Sequence, residues 1–165
     1  MSHRITYRQE LISLKVEYME LFVQAASSVL KKYSEDSIEP GPLGLLGTTF
    51  PTASINIAAR IKGSLEGDIV YSMSSQTAKK LAGVVTGTET HSFGRVMGSG
   101  LVRLGDMLAD QTGRILKERG LHCEISSPTV FQGMNVEFSV TAPALAIPIN
   151  TSAGRIDVNV AVNDA

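Results

Sequence analysis

Tryptophan is absent from the 165 residues, and four tyrosines and five phenylalanines are the only aromatics. So few flat rings offer no platform on which unpaired bases could stack. Charge of either sign is also sparse. Fifteen Lys and Arg against sixteen Asp and Glu leave a formal net charge of -1, without the basic excess of a nucleic-acid binder. No apolar run approaches the roughly 20 residues that cross a bilayer, and no signal-peptide pattern is read at the start. The expectation is a cytoplasmic protein with neither a nucleic-acid nor a membrane partner. The single cysteine, Cys123, precludes an internal disulfide and a Cys-based zinc cluster. His3, His91 and His122 lack metal-ligand spacing with Cys, Asp or Glu and read as surface or loop residues.

What is present is a generous apolar fraction, 43%, in a chain long enough to bury one substantial core. The organising stretch runs from His91 to Gly120. At about 100° per residue, Met97, Leu101, Leu104, Leu108 and Ile115 fall on one stripe. Ser99, Arg103, Asp106 and Asp110 fall on the opposite one. The pattern predicts one long amphipathic helix, closed by Gly120, with an apolar side for a core and a polar side for water or a partner. Gly98, Gly100, Gly105 and Gly113 each weaken it by up to about 1 kcal/mol relative to Ala. Tertiary packing, or the close approach of another backbone, must hold such a helix.

Residues 1–15 read as a mobile N-terminal extension that merges into the first helix, and 16–165 as a single domain. Val16, Met19, Phe22, Val23, Ala26, Val29, Leu30 and Tyr33 predict a helix over 16–33, with Glu17, Glu20, Gln24, Ser27 and Lys31 on its solvated side. Pro40, Gly41, Pro42 and Gly44 mark a linker from Ser34 to Gly44. Strand character begins at Leu45. SINIAARI, 54–61, and DIVYSM, 68–73, predict a hairpin whose turn is bracketed by Gly63 and Gly67. Ser74 or Ser75 can cap the helix QTAKKLAGVV. Beyond Gly120, strands are read in LHCEISSPTVFQG with a break at Pro128, in NVEFSVT, after Pro143 in ALAIPIN, and in RIDVNVAV. The fold class is α+β: a mostly antiparallel sheet of about six strands packed against two long helices and one shorter helix.

Few chemical motifs survive inspection. Gly98-Ser99-Gly100 lacks both the third glycine and the preceding strand of a dinucleotide loop. No GxSxG elbow surrounds any serine. Asp106 and Asp110 are four apart, but two carboxylates alone make a poor magnesium or calcium site. Arg103 and Asp106 are three apart and could simply pair. No metal and no cofactor is implied.

Four segments taken together change the reading. KVEYMELFVQAASSVL, IKGSLEGDIVYSMSSQTAKKLAG, ILKERGLHCEISSPTVFQG with its Pro128-Thr129-Val130…Gly133, and IPINTSAGRIDVNVAV occur in this order. In order and spacing they resemble the CheC/CheX family of chemotaxis proteins, CheX more closely, from Leu14 onward. That resemblance implies an aspartyl-phosphate phosphatase acting on a CheY-type response regulator. It also implies a homodimer joined through sheet edges. The family motif is Asp or Ser, three residues, Glu, two residues, Asn, on the exposed face of a long helix. There the acid pairs with a lysine of the regulator and the amide orients the attacking water. Counted back from Gly120, those roles fall on Ser99, Arg103 and Asp106. The serine fits. A cation and a carboxylate stand where Glu and Asn would act. Because positioning and electrostatics supply most of the catalysis in phosphoryl transfer, both changes should be severe.

The expected function is therefore a CheX-like signalling protein. It binds a response-regulator receiver domain through Ser99, Arg103, Asp106 and Asp110, without efficient phosphatase activity. The alternatives are an active phosphatase that holds water with Asp106, and a structural dimerisation subunit.

Overall fold

The computed structural model describes residues 2–34, 38–88, 94–133 and 137–164, with side chains described from Val16 onward except that of Thr141. Helix α1 spans Ser2–Leu30 and tightens into a 3₁₀ turn at Lys31–Tyr33. Residues 2–15, read from sequence as an extension, thus continue the backbone of the first helix. The predicted stripe of α1 faces inward: Met19, Phe22, Ala26, Val29 and Leu30 are all buried. Ser27 departs from the expected solvated side. It is half-buried, and its covered hydroxyl lacks a hydrogen-bond partner among the described residues.

Strands β1 (Glu39–Pro40) and β2 (Gly44–Pro51) follow, then β3 (Ile55–Gly63) and β4 (Leu65–Met73). The β3–β4 turn is tighter than predicted, with Ser64 alone between the strands. Gly67 lies inside β4 at φ +156°, where a Cβ would run into the Ala161 carbonyl of the neighbouring strand. It marks a close backbone approach rather than a turn. Helix α2 spans Ser75–Thr86, and Ser74 is its cap, accepting a bond from the Thr77 N–H at 3.2 Å. Helix α3 spans Arg95–Glu118. His91 to Phe93, the predicted start of that helix, lie outside the described residues, as do Asn135 and Val136.

The last strands are β5 (Cys123–Ile125), β6 (Thr129–Gln132), β7 (Glu137–Thr151) and β8 (Gly154–Asp164). The eight strands form one antiparallel sheet in the order β1-β7-β8-β4-β3-β5, with β2 also on β7 and β6 also on β3. The fold is thus the expected α+β arrangement of antiparallel sheet and helices, with eight strands among the described residues where about six were read from sequence. Pro143 is not a break. It falls within β7 where the pairing jumps from Gly47↔Ala144 to Thr49↔Ser139, an irregular stretch in which its missing N–H costs no ladder bond. Pro128 does interrupt, so β5 and β6 line one edge of β3 as two short pieces.

Alternation gives the sheet two different faces. Ile55, Ile57, Ile61, Ile69, Met73, Ile156, Val158 and Val160 point at the helices and join the main core. Tyr71 points the same way. Its phenol is fully buried, and burial pushes its pKa up to about 12, with nearby Thr112 opposing. The Thr112 hydroxyl is committed to the Leu108 carbonyl at 2.6 Å, and Tyr71 Oη has no hydrogen-bond partner among the described residues. The opposite face carries a small cluster of Phe50, Val70, Ala142, Ala144 and Ala161. Beside it runs a polar row in which Ser72 donates to Asn56 Oδ1 at 2.7 Å and Asn159 donates to Ser72 Oγ at 3.2 Å. Asp68 faces Arg60 at 3.3 Å at the end of the row, and burial holds its carboxyl above the usual range despite that cation.

Candidate functional site

The site rests on how firmly α3 is mounted. Its apolar stripe, Met97, Leu101, Leu104, Leu108 and Ile115, is buried as the periodicity predicts. Two of its four glycines explain themselves by packing. A Cβ on Gly100 would press on the Ala82 carbonyl and the Thr86 methyl of α2, each at 3.0 Å. One on Gly105 would meet the Pro128 ring at 2.8 Å and the Ile57 side chain at 2.9 Å. These contacts fix the helix on one side to α2 and on the other to the β5–β6 connection and β3. Gly98 and Gly113 would meet nothing within 4 Å. At the C-terminus Gly120 takes φ +79°, and the Leu121 N–H returns to the Leu116 carbonyl at 2.9 Å, ending the helix as the sequence indicated.

The outward face carries Ser99, Arg103, Asp106 and Asp110, all exposed. The fold thus presents the four sequence candidates together on one rigid surface. Their internal bonding differs along the helix. Asp110 pairs with Arg114 at 3.2 Å, an i, i+4 pair exposed on both sides. Arg103 and Asp106, which the i, i+3 spacing could have joined, form no ion pair, and neither has a partner among the described residues. Val96 and Val102 precede them, 46% and 40% exposed, large apolar side chains left in water on the same helix.

Sequence reasoning missed what lies beside the C-terminal half of the face. A groove of about 650 Å³ opens between α3 and β5, with Gly113 and Ala109 on the helix side and Cys123 and Ile125 on the strand side. Lys62, Arg114, Lys117 and His122 are among its rim residues, together with Asp110 and Glu124. Arg114 and Lys117 extend the exposed stripe at its own spacing and were legible on a helical wheel. Lys62 and His122 arrive through β-pairing and were not. The groove shares Asp110 with the candidate face but does not reach Ser99, Arg103 or Asp106. Among the described residues no group of three His, Cys, Asp or Glu side chains is placed to hold a metal ion. No described helix is long and apolar enough to cross a membrane.

What the face can do follows from its composition. It offers an open cation and an open carboxylate one turn apart, a hydroxyl one turn before them, and apolar margins. It offers no neutral amide at 106 to hold water and no acid at 103.

Comparison with known proteins places this geometry. No family model matches the chain. Over 91 residues the chain is 32% identical to the CheY-P phosphatase CheX of Thermotoga maritima, a match that takes in 54% of this chain and 59% of that protein. The solved structure of the chemotaxis protein CheX from Desulfovibrio desulfuricans superposes with a TM-score of 0.79 at 21% identity, covering 89% of this chain and 99% of that one. A CheC-like superfamily protein from a Shewanella species gives 0.78 at 14% identity over 90% and 98%. The CheX–CheY–BeF3–Mg complex of Borrelia burgdorferi gives 0.72 at 26% identity over 89% and 98%. The fold is that of the CheX and CheC-like chemotaxis proteins, and the chain is a sequence homologue of CheX along the matched stretch.

Proposed function

We propose that this CheX homologue is a cytoplasmic signalling protein whose α3 face binds a CheY-type receiver domain without efficiently hydrolysing its aspartyl phosphate. One observation carries the reading. Arg103 and Asp106 stand exposed, and unpaired among the described residues, on the face where the resemblance puts the catalytic Glu and Asn. A carboxylate at 106 faces an anionic phosphoryl group with like charge and cannot donate to it. Arg103 cannot form the acid–lysine contact that would seat the regulator for in-line attack. Phosphoryl transfer leaves the protein little else to contribute, so the fold keeps the docking surface and loses the chemistry. The CheX–CheY complex among the structural relatives supports a receiver domain as the partner class. The sheet edges support association into a homodimer, since β2 and the β5–β6 line are flanked on one side only.

The test is incubation with a phosphorylated CheY-type receiver domain. The expected result is a phosphate lifetime unchanged by the protein, together with capture of the receiver on the immobilised chain. Accelerated loss of phosphate that Asp106→Ala abolishes would establish the active-phosphatase reading instead. Capture of no receiver domain would leave a structural subunit as the better account. On a receiver domain that places a lysine opposite position 103, the double variant Arg103→Glu with Asp106→Asn should gain phosphatase activity of at least tenfold over the wild type. Light scattering after gel filtration should give twice the 17.6 kDa chain mass, and a monomer would remove the dimer from the reading.

A further inference from the structure

We infer that Arg103 sets partner choice, selecting a receiver domain that brings a side-chain carboxylate against it. The inference rests on the receiver-binding reading above and goes beyond it by naming the chemistry of the contact. Two charged pairs lie along the same helix. Asp110 and Arg114 close on each other at 3.2 Å and neutralise themselves before any partner arrives. Arg103 and Asp106 are as close in sequence, yet each is exposed and neither is bonded within the described chain. Val102 borders them, and Val96 lies two turns before Arg103, with exposed apolar surface that a partner would cover. Val102 is next to Arg103 in the chain and one turn before Asp106, so covering it strips water from both charges. A desolvated charge without a counter-ion is strongly unfavourable, so the partner must present a carboxylate to Arg103 and a cation or donor to Asp106 one turn further on.

The same arrangement rejects partners. A receiver that places a lysine opposite position 103 would meet like charge, and such repulsion discriminates more sharply than added attraction. A phosphoryl group could also satisfy the guanidinium, but it carries about two negative charges. Those would lie within a turn of the Asp106 carboxylate. A single carboxylate fits the pair better.

Binding by purified, unphosphorylated CheY-type receiver domains to the full chain tests this, measured by calorimetry at two salt concentrations. Arg103→Glu should weaken binding at least tenfold and Arg103→Gln by less, with melting curves confirming that both stay folded. One Asp→Lys or Glu→Lys reversal on the receiver should weaken the wild type comparably and restore binding to Arg103→Glu. Added salt should weaken the wild type more than Arg103→Gln. Receiver binding by Arg103→Glu within twofold of wild type overturns the inference while leaving the receiver-binding reading intact. So does binding that requires the phosphorylated receiver. If no receiver in the panel binds the wild type, the reading of function fails, and the choice assigned to Arg103 fails with it.

Discussion

The two faces of α3 share one backbone and almost nothing else. Inward, contact constrains the positions: Leu101 and Leu104 are buried, a methyl group on Gly100 would press on α2 and one on Gly105 would run into Pro128. Outward, Ser99, Arg103 and Asp106 are exposed, and among the described residues none of them has a hydrogen-bond or ion-pair partner. The lesson concerns where stability and function reside. The inner face keeps the helix in place whatever the outer face becomes, so the outer residues can change charge without disturbing the fold.

The comparison breaks most visibly at Leu104 and its exposed neighbour. Leu104→Ala should cost about 2–5 kcal/mol, since it removes buried methyl groups and leaves a cavity between α3 and the sheet. Arg103→Ala, one residue away, should change stability by less than about 0.5 kcal/mol. Denaturant unfolding with an unchanged slope would check both. A large loss at Arg103 would mean that the outer face has a structural role after all.

A finer test uses glycine alone, where the added group is the same single methyl. Gly105→Ala forces a Cβ against the Pro128 ring at 2.8 Å and should destabilise by about 1–3 kcal/mol. Gly113→Ala places its methyl in open space and should stabilise by about 0.8–1 kcal/mol from helix propensity alone. Opposite signs for one chemical change are the expected outcome. Stabilisation by both would show that propensity outweighs packing along this helix.

How much of this could be read in the sequence follows from the same division. Helical period made both stripes of α3 legible, because contacts repeating every three or four residues lie close together in the chain. The cap at Ser74, the stop at Gly120 and the final strand with Ile156, Val158, Val160 and Val162 were readable for the same local reason. What escaped depends on distant neighbours. Pro143 looked like a strand end because its tolerance lies in the irregular pairing of β2 with β7, and β2 is nearly a hundred residues earlier. Gly67 looked like a turn because the carbonyl that demands a glycine belongs to Ala161. The groove beside α3 was invisible because its far wall forms only when β5 pairs with β3, with the His122 N–H bonded to Ser64 Oγ across 58 residues. Arg103 and Asp106 were found from their spacing. That they remain unpaired took the structure to establish.

The smallest effect separates the open charges from the closed pair. Asp110→Ala breaks an i, i+4 contact with Arg114 whose two side chains are 64% and 70% exposed. Water screens such a pair, and ordering two mobile side chains consumes much of the attraction, so the loss should be no more than about 0.5 kcal/mol. Asp106→Ala breaks no bond within the chain and should cost less still. The two variants should separate at the partner instead. Receiver binding should fall further for Asp106→Ala, because the Asp110 carboxylate is already neutralised by Arg114 while that of Asp106 remains available. Equal binding losses at 106 and 110 would mean that the groove end of the helix contributes as much as the open pair, and would move the centre of the interface towards Gly113.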